Sequence, residues 1–427
     1  MRSIRKLPPI FRFFPAVVLL SALLAAGPAG AAEKTTITVW WQGLGDQEAA
    51  QTLVDTFNET HPWVHVNLVL EGNLSEGAGL DKVKTAIAAG TPPDIVYQGM
   101  HIQRELFMDG LIIPIDEVLP REFLESIDYL PAPRQLTRLN DRILAVQFRT
   151  DARGLYFNMD MFEEAGLDSS VGPRTIEELD AYAALLTRWD SAGNVERLGF
   201  APRGNNFLQE LGWLWVFGGN PYDFENNRLT ITGNPAHLRV VEWIAGYAQR
   251  YGATASSTPA LFEGQQVAMH VNSTSRLAII PQVAPDMRWN VSDIPYPPEG
   301  RRTTNSSGPG PVIPYGAPNV EAAAEFVKYM AAKETQMDWY RMTRQPPARR
   351  DALFELIARG EITDPREIAM LDAMPVGFGV PPLFSGVVQT LFRDHVDRVR
   401  RGEITPQQAL EDVQRLAEPA YRELFGR

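Results

Sequence analysis

The residues able to do chemistry in this chain are amides, aromatics and charges gathered where expected strands end. Trp41 and Gln42 close the alternating run Thr36–Trp41, and Gln98 with the Gly99-Met100-His101 loop follows the short run Asp94–Tyr97. Asp151 and Arg153 lie in a charged link between two apolar runs within Ile143–Asn158. Trp213 and Trp215 lead to the glycine pair Gly218-Gly219, and Asn272-Ser273-Thr274 ends another expected strand. Such groups suit a neutral, hydroxyl-rich ligand. A sugar ring has an apolar face that stacks on tryptophan, and hydroxyls that need both donors and acceptors. By alternation Trp40 faces away from Trp41, so Trp40 and Trp243 are assigned to the core and Trp41 to the ligand side.

The chain has no G-x-S-x-G elbow, H-E-x-x-H, P-loop or G-x-G-x-x-G. Its histidines (61, 65, 101, 237, 270 and 395) show no metal-ligand spacing, and only His101 follows a strand end. A glycosidase needs two carboxylates facing across a sugar, and nothing in the sequence singles out such a pair. We therefore expect no catalytic residues, no metal and no cofactor. Cysteine is absent, which excludes disulfides, thiolate metal sites and a lipoprotein anchor. The net charge of −12 argues against nucleic acid and anionic lipid as partners.

A chain of 427 residues is too long for one core, so two domains are expected. Arg2, Arg5, Lys6 and Arg12 precede the apolar run Phe13–Ala26, and Ala29-Gly30-Ala31 fits a cleavage site. Residues 1–31 are read as a secretory signal peptide, which places the remainder in a periplasm. After it, strand 36–41, helix 47–59, strand 64–70, helix 80–89 and strand 94–97 predict a mostly parallel sheet with right-handed crossovers. Ligands of such sheets sit at the carboxyl ends of the strands. Further on the pattern predicts a strand from Ile143 and helices over 176–189, 235–251 and 319–342. It also predicts a flexible stretch over 303–310 and a final helix capped at Thr405-Pro406.

Taken in order, ITVWWQG, FNETHPWVHVNL, KVKTAIAAGTPPDIVYQG, RILAVQFRTDARGLYFNMDMFEEAGL, FEGQQVAMHVN, QPPARRDAL and EITPQQALEDVQ resemble the extracellular solute-binding proteins of carbohydrate ABC transporters. That family includes maltose- and glycerol-3-phosphate-binding proteins. The resemblance implies an α/β fold of two lobes, each a mostly parallel sheet flanked by helices, with a hinge of three crossings. It implies a first lobe of 36–150 with 309–350 and a second of 151–308 with 351–427. Crossings are expected near Thr150, Gly308–Gly310 and Arg349–Asp351. It further implies ligand contacts at Trp41, Gln42, Gln98, Asp151, Arg153, Asn205, Asn206, Asn272, Gly308 and Arg344, beside Trp213 and Trp215 from the pattern above. The implied role is capture of a sugar or polyol by a monomer that delivers it to membrane permease subunits. The alternatives are a secreted carbohydrate-active enzyme and a sensor subunit. The stacking tryptophans expected after Asn272 and near 381–392 are missing, which argues for a shorter solute than a maltodextrin. Arg153, Arg276 and Arg344 would admit a phosphorylated or acidic one such as a glycerophosphodiester.

Overall fold

The computed structural model describes residues 34–43, 45–204, 209–252 and 255–425. The expected leader, Asn205 and Asn206 lie outside the described residues. Among those described, no helix is long and apolar enough to cross a membrane.

The first lobe is organised by β1 (Thr35–Gln42), whose Ile37, Val39 and Trp41 are all fully buried. Period-2 alternation places these three on one face, where Leu53, Val54 and Phe57 of α1 (Gln47–Thr60) pack. Each such large apolar side chain contributes about 1.5–3 kcal/mol on full burial. β1 pairs in parallel with β2 (Val64–Glu71) on one side and β3 (Ile95–Gly99) on the other. α2 (Gly77–Ala88) links β2 to β3. The strand Pro309–Pro314 then adds antiparallel to β3, and Ile112–Ile113 closes the sheet.

The second lobe departs from the expected parallel pattern. Its sheet centres on Arg153–Asn158, with Met269–Ser273 and Trp289–Ser292 both antiparallel to it. The reason is where strands begin. Arg153–Asn158 leaves the crossings, while its two neighbours run towards them and end at the cleft. Pro309–Pro314 leaves the crossings in the same sense, and is the antiparallel member beside β3. A second large core, including Phe157, Phe200, Trp213, Val241 and Val413, fills this lobe against the helices Pro235–Tyr251 and Pro406–Phe425.

Three segments run side by side between the cores. Arg149 bridges Pro347 in antiparallel fashion, and the Thr150 N–H donates to the Pro346 carbonyl at 2.8 Å. The Thr150 hydroxyl meets the Ser306 hydroxyl at 2.5 Å and donates to the Ser307 carbonyl at 2.9 Å. Asp151 accepts the Ser307 N–H at 2.8 Å, and the Ser306 hydroxyl donates to the Asp151 carbonyl at 2.7 Å. The expected flexible stretch is therefore an ordered element. Thr303, Thr304, Asn305 and Ser306 are at most 4% exposed, and the Thr304 and Ser306 hydroxyls donate to the Arg153 and Asp151 carbonyls of the neighbouring crossing.

Other expectations shift for local reasons. Only Arg142–Ile143 of the run beginning at Ile143 is a strand, paired in a hairpin with Arg138–Leu139. Leu144–Phe148 is buried without regular structure as it enters the hinge. The helix over 176–189 stops at Leu186, where Thr187 turns extended. The helix over 319–342 is two helices, Val320–Ala331 and Lys333–Thr343, broken at Ala332 with ψ 143°. That break points buried Gln336 under the crossings. Its amide donates to the Gln147 carbonyl at 3.2 Å and accepts the Arg349 N–H at 3.1 Å.

Gly308 sits at φ +139°, and a Cβ there would stand 2.2 Å from the Arg149 carbonyl oxygen. We predict that Gly308→Ala lowers stability by roughly 1–3 kcal/mol, read as a reduced urea midpoint. An unchanged midpoint would show that the crossings can move apart freely.

Candidate functional site

Between the lobes lies a cavity of about 750 Å³, walled by Gly45 and Asp46 of the first lobe, Thr274 and Ser275 of the second, and Arg344 and Gln345 beside the third crossing. A smaller hollow of about 280 Å³ is lined by Ser75, Glu76 and His101 on one side and Pro381 and Leu383 on the other. The carboxyl ends of β1 and β3 feed this cleft, as a parallel sheet requires.

Gln42 anchors the rim. Its side-chain carbonyl accepts the Leu74 N–H at 2.9 Å and the Ser75 hydroxyl at 2.8 Å, and that hydroxyl accepts the Gly99 N–H at 2.8 Å. One chain of bonds thus ties the three strand ends together. Gln98 is fully buried, yet neither its amide oxygen nor its amide nitrogen has a partner. Buried side-chain polar atoms are nearly always satisfied, so an amide with none of its bonds made stands out.

Of the two tryptophans of β1, Trp40 packs against a core as expected and Trp41 departs from its expected ligand side. Trp41 is the core residue, in phase with Ile37 and Val39; it stacks on Tyr97 at 3.7 Å and lies 5.6 Å from Trp339. Trp40 is half-buried on the other face, beneath the Lys82 ammonium at 4.6 Å. Trp213 is also core, donating to the Pro202 carbonyl at 2.8 Å and packing on Trp243 at 4.9 Å. Trp215 stacks on Phe378 at 4.3 Å and is 3% exposed, beside a separate hollow that Gln135 and Arg301 also line.

Asp151 is engaged within the hinge. One oxygen accepts the Ser307 N–H and the other accepts from Arg153 Nη1 at 2.6 Å. Arg153 keeps a buried Nε without a partner. Asn272 accepts the Ser273 N–H at 2.8 Å and meets His270 Nε2 at 2.9 Å. Burial pulls His270 down to about 3, so its ring is neutral and can accept the Asn272 amide. Gly308 holds its carbonyl to the Met100 N–H at 3.0 Å. Arg344 takes a left-handed backbone at φ +59° and pairs with Glu367 at 2.8 Å, with its guanidinium 4.6 Å over the Tyr340 ring.

Several cleft groups escaped the sequence reading. Asp46 has a side chain only 2% exposed, neither carboxylate oxygen forms a hydrogen bond, and the nearest cation is Arg149 Nη2 at 3.9 Å. It is the N-cap residue of α1 but does not cap it. Its position directly after the glycine turn was the available signal. Arg149 Nε, the Trp41 indole N–H and the Asn305 carbonyl also lack partners. The Tyr97 phenol forms no well-aligned hydrogen bond either. Burial pushes its pKa up, while the neighbouring Arg149 opposes the shift. These unpaired atoms follow the ends of β1 and β3 and the crossing segments that meet them.

Two α/β bodies on three crossings, with an inter-lobe cavity and buried polar groups without hydrogen bonds at the strand ends and crossings, define a two-lobed solute-binding protein. Residues 41–337 match the sequence model of the bacterial extracellular solute-binding proteins, and the chain belongs to that family. The sn-glycerol-3-phosphate-binding periplasmic protein UgpB of Pectobacterium atrosepticum is 24% identical over 416 residues, spanning 90% of this chain and 91% of that protein. The protein of the same name from Salmonella typhimurium is 25% identical over 425 residues, spanning 91% of this chain and 93% of its own. Among solved structures, CpMnBP1 with mannotriose bound superposes with a TM-score of 0.74 at 25% identity, covering 90% of this chain and all of that one (100%). A solute-binding protein from Thermotoga lettingae bound with α-D-tagatose gives 0.72 at 22% identity, covering 92% of this chain and 100% of that one, and it supports the fold alone.

The burial of Trp41 makes a direct test. Trp41→Ala should cost about 3–5 kcal/mol of stability, as large core truncations do. The same substitution of a ring lying open in the cleft would leave the ligand-free melt almost unchanged.

Proposed function

We propose that this chain is the periplasmic solute-capturing component of an ABC importer, and that a small polyhydroxylated solute binds between its lobes. The observation that carries this is the set of buried polar atoms without a hydrogen bond at the strand ends and crossings: the Gln98 amide, the Asp46 carboxylate that lines the cavity, Asn305 Oδ1, and Nε of Arg149 and Arg153. Each waits for a partner of opposite hydrogen-bonding sense, and hydroxyls can serve both senses. With Trp41, Trp213 and Trp215 all packed inside, recognition rests on hydrogen bonds more than on ring stacking. That favours a short solute over a long glucan. The unpaired N–H groups of Arg149 and Arg153 also favour a phosphorylated polyol, and the names carried by the glycerol-3-phosphate-binding relatives agree with it.

In this reading the first lobe comprises 36–150 with 309–350 and the second 151–308 with 351–427, joined at the three crossings. Asp46, Gln98 and Arg149 hold the solute from the first lobe, while Arg153, Asn272 and Ser275 meet it from the second. Ligand that bridges both lobes shifts the open–closed equilibrium by its differential affinity for the closed form. The signal peptide sends the protein to the periplasm, where the monomer hands its cargo to permease subunits in the inner membrane. Asp151, tied to Ser307 and Arg153, positions the arginine and keeps the hinge in register.

A melting screen of sugars, polyols, glycerol phosphates and glycerophosphodiesters tests the reading. A true ligand at a hundred times its Kd should add about 2.7 kcal/mol of stability. If peptides or metal ions raise the melt while every polyol and sugar leaves it unmoved, the assignment fails. Gln98→Leu sharpens the test. Removing an unsatisfied buried amide should leave the ligand-free protein as stable or more so, yet abolish the ligand-induced shift. A destabilised ligand-free variant would mean that the amide already has a structural partner.

A further inference from the structure

Away from the crossings, the first lobe grips the second through the short helix Gln103–Met108 and the hairpin that follows it. Glu105 Oε1 accepts the Leu383 N–H at 3.0 Å, and Leu383 is a non-glycine residue held at φ +61°. Such a backbone persists only where its surroundings favour it. Next to it, Arg104 is 5% exposed; it donates to the Gln135 and Arg138 carbonyls of its own lobe and lies 5.2 Å from the Phe224 ring of the other. Gln135 accepts the Gly379 N–H at 3.0 Å. At the far end, the Asn227 amide donates to the Asn140 carbonyl at 2.8 Å, and both asparagines sit at positive φ on turn tips. Leu383 and Phe224 pack against the second core, whereas Ile102, Leu106 and Leu136 belong to a core of the first lobe.

Gly379 pairs with Ser306 of the second crossing, whereas the bonds Glu105–Leu383 and Asn140–Asn227 involve no crossing residue. A rotation that opens the lobes about the crossings must therefore break them. They also form with no solute involved, so they favour the closed form whether or not ligand is present. We propose that Glu105, at the edge of the smaller hollow, and the Asn140–Asn227 pair form an inter-lobe clasp, which sets the ligand-free balance between open and closed lobes and thereby the affinity. Apparent affinity scales with the population of the binding-competent state, so bonds made between the lobes without ligand can tune it. The inference rests on lobe closure as proposed above. Its test needs no ligand, so its failure is read separately from that of the solute assignment.

The absence of cysteine makes site-directed spin labelling clean. Glu59→Cys and Glu242→Cys place labels at exposed positions, one on each lobe. Pulsed-EPR distances are then measured on the ligand-free full chain. We expect a short-distance population in the otherwise unaltered chain, and a fall of that population by about tenfold or more when Glu105→Ala is combined with Asn227→Gly. Asn227→Gly keeps the left-handed backbone, so it reports on the amide alone should the combined variant fail to fold. Glu105→Gln, which retains an acceptor for Leu383, should keep most of the short population. An unchanged distribution in folded Glu105→Ala and Asn227→Gly overturns the clasp. So does a Glu105→Gln chain as open as Glu105→Ala.

Discussion

Everything in this molecule depends on how three chain segments cross between two cores while keeping their backbone polar groups satisfied. Thr150 solves much of that problem. It is fully buried, its N–H reaches the third segment at Pro346, and its hydroxyl reaches the second at Ser306 and Ser307. Asp151 completes the knot through the Ser307 N–H. A buried N–H or carbonyl left alone costs about 1–3 kcal/mol, so this lattice of short bonds keeps the segments in register. Gly308 lets the backbones approach, since any side chain there would strike the Arg149 carbonyl. The sheets inherit their topology from this point: the strand that leaves the knot into each lobe runs against its neighbours, whose ends face the cleft.

The hinge also divides labour between two carboxylates. Asp151 lies where a charged link between apolar runs is conspicuous in the sequence, and its oxygens are taken up by the hinge and by Arg153. Asp46 lies in an ordinary-looking glycine turn, and its oxygens are unsatisfied. Burying a carboxylate without hydrogen bonds is costly, and the cost falls when donors are supplied. The residue that stands out in the sequence therefore braces the hinge, and the inconspicuous one lines the cavity with its hydrogen bonds unmade.

The same contrast explains what was legible beforehand. The first lobe was readable because its elements follow strong local periods. β1, α1, β2 and the helix Pro235–Tyr251 fall within a residue or two of their expected bounds. The family resemblance and the two-lobed fold followed from those ordered elements. Less legible were features that depend on partners distant in sequence. Thr303–Ser306 has the composition of a loop, and its order comes from residues some 150 positions earlier. Ala332 breaks a helix that local propensity would continue, because Gln336 gains two crossing partners when it does. The facing of Trp40 and Trp41 turned on phase. Both are large and apolar beside a glycine turn, and only the packing of Trp339 and Phe148 against one face decides between them.

Two opposing terms then meet in the closed geometry. The clasp residues Glu105, Asn140 and Asn227 gain bonds when the lobes meet, and this gain needs no ligand. In the proposed reading, Asp46, Gln98 and Arg149 Nε lose water when the lobes meet, and the hydrogen bonds they lack come from a solute. The first term alone would lock the protein shut, and the second alone would hold it open against any weak ligand. Set against each other, they leave a small difference that a solute of the right hydrogen-bonding pattern can tip. A ligand shifts the balance only by what it contributes differently to the two forms. Here that contribution is the satisfaction of polar atoms the closed chain has already buried, so selectivity follows from how completely a solute matches them. A solute that fills the cavity but leaves Asp46 or Gln98 unpaired retains the desolvation cost. In the proposed reading such a solute is rejected by the protein's own unsatisfied groups, with no steric gate required.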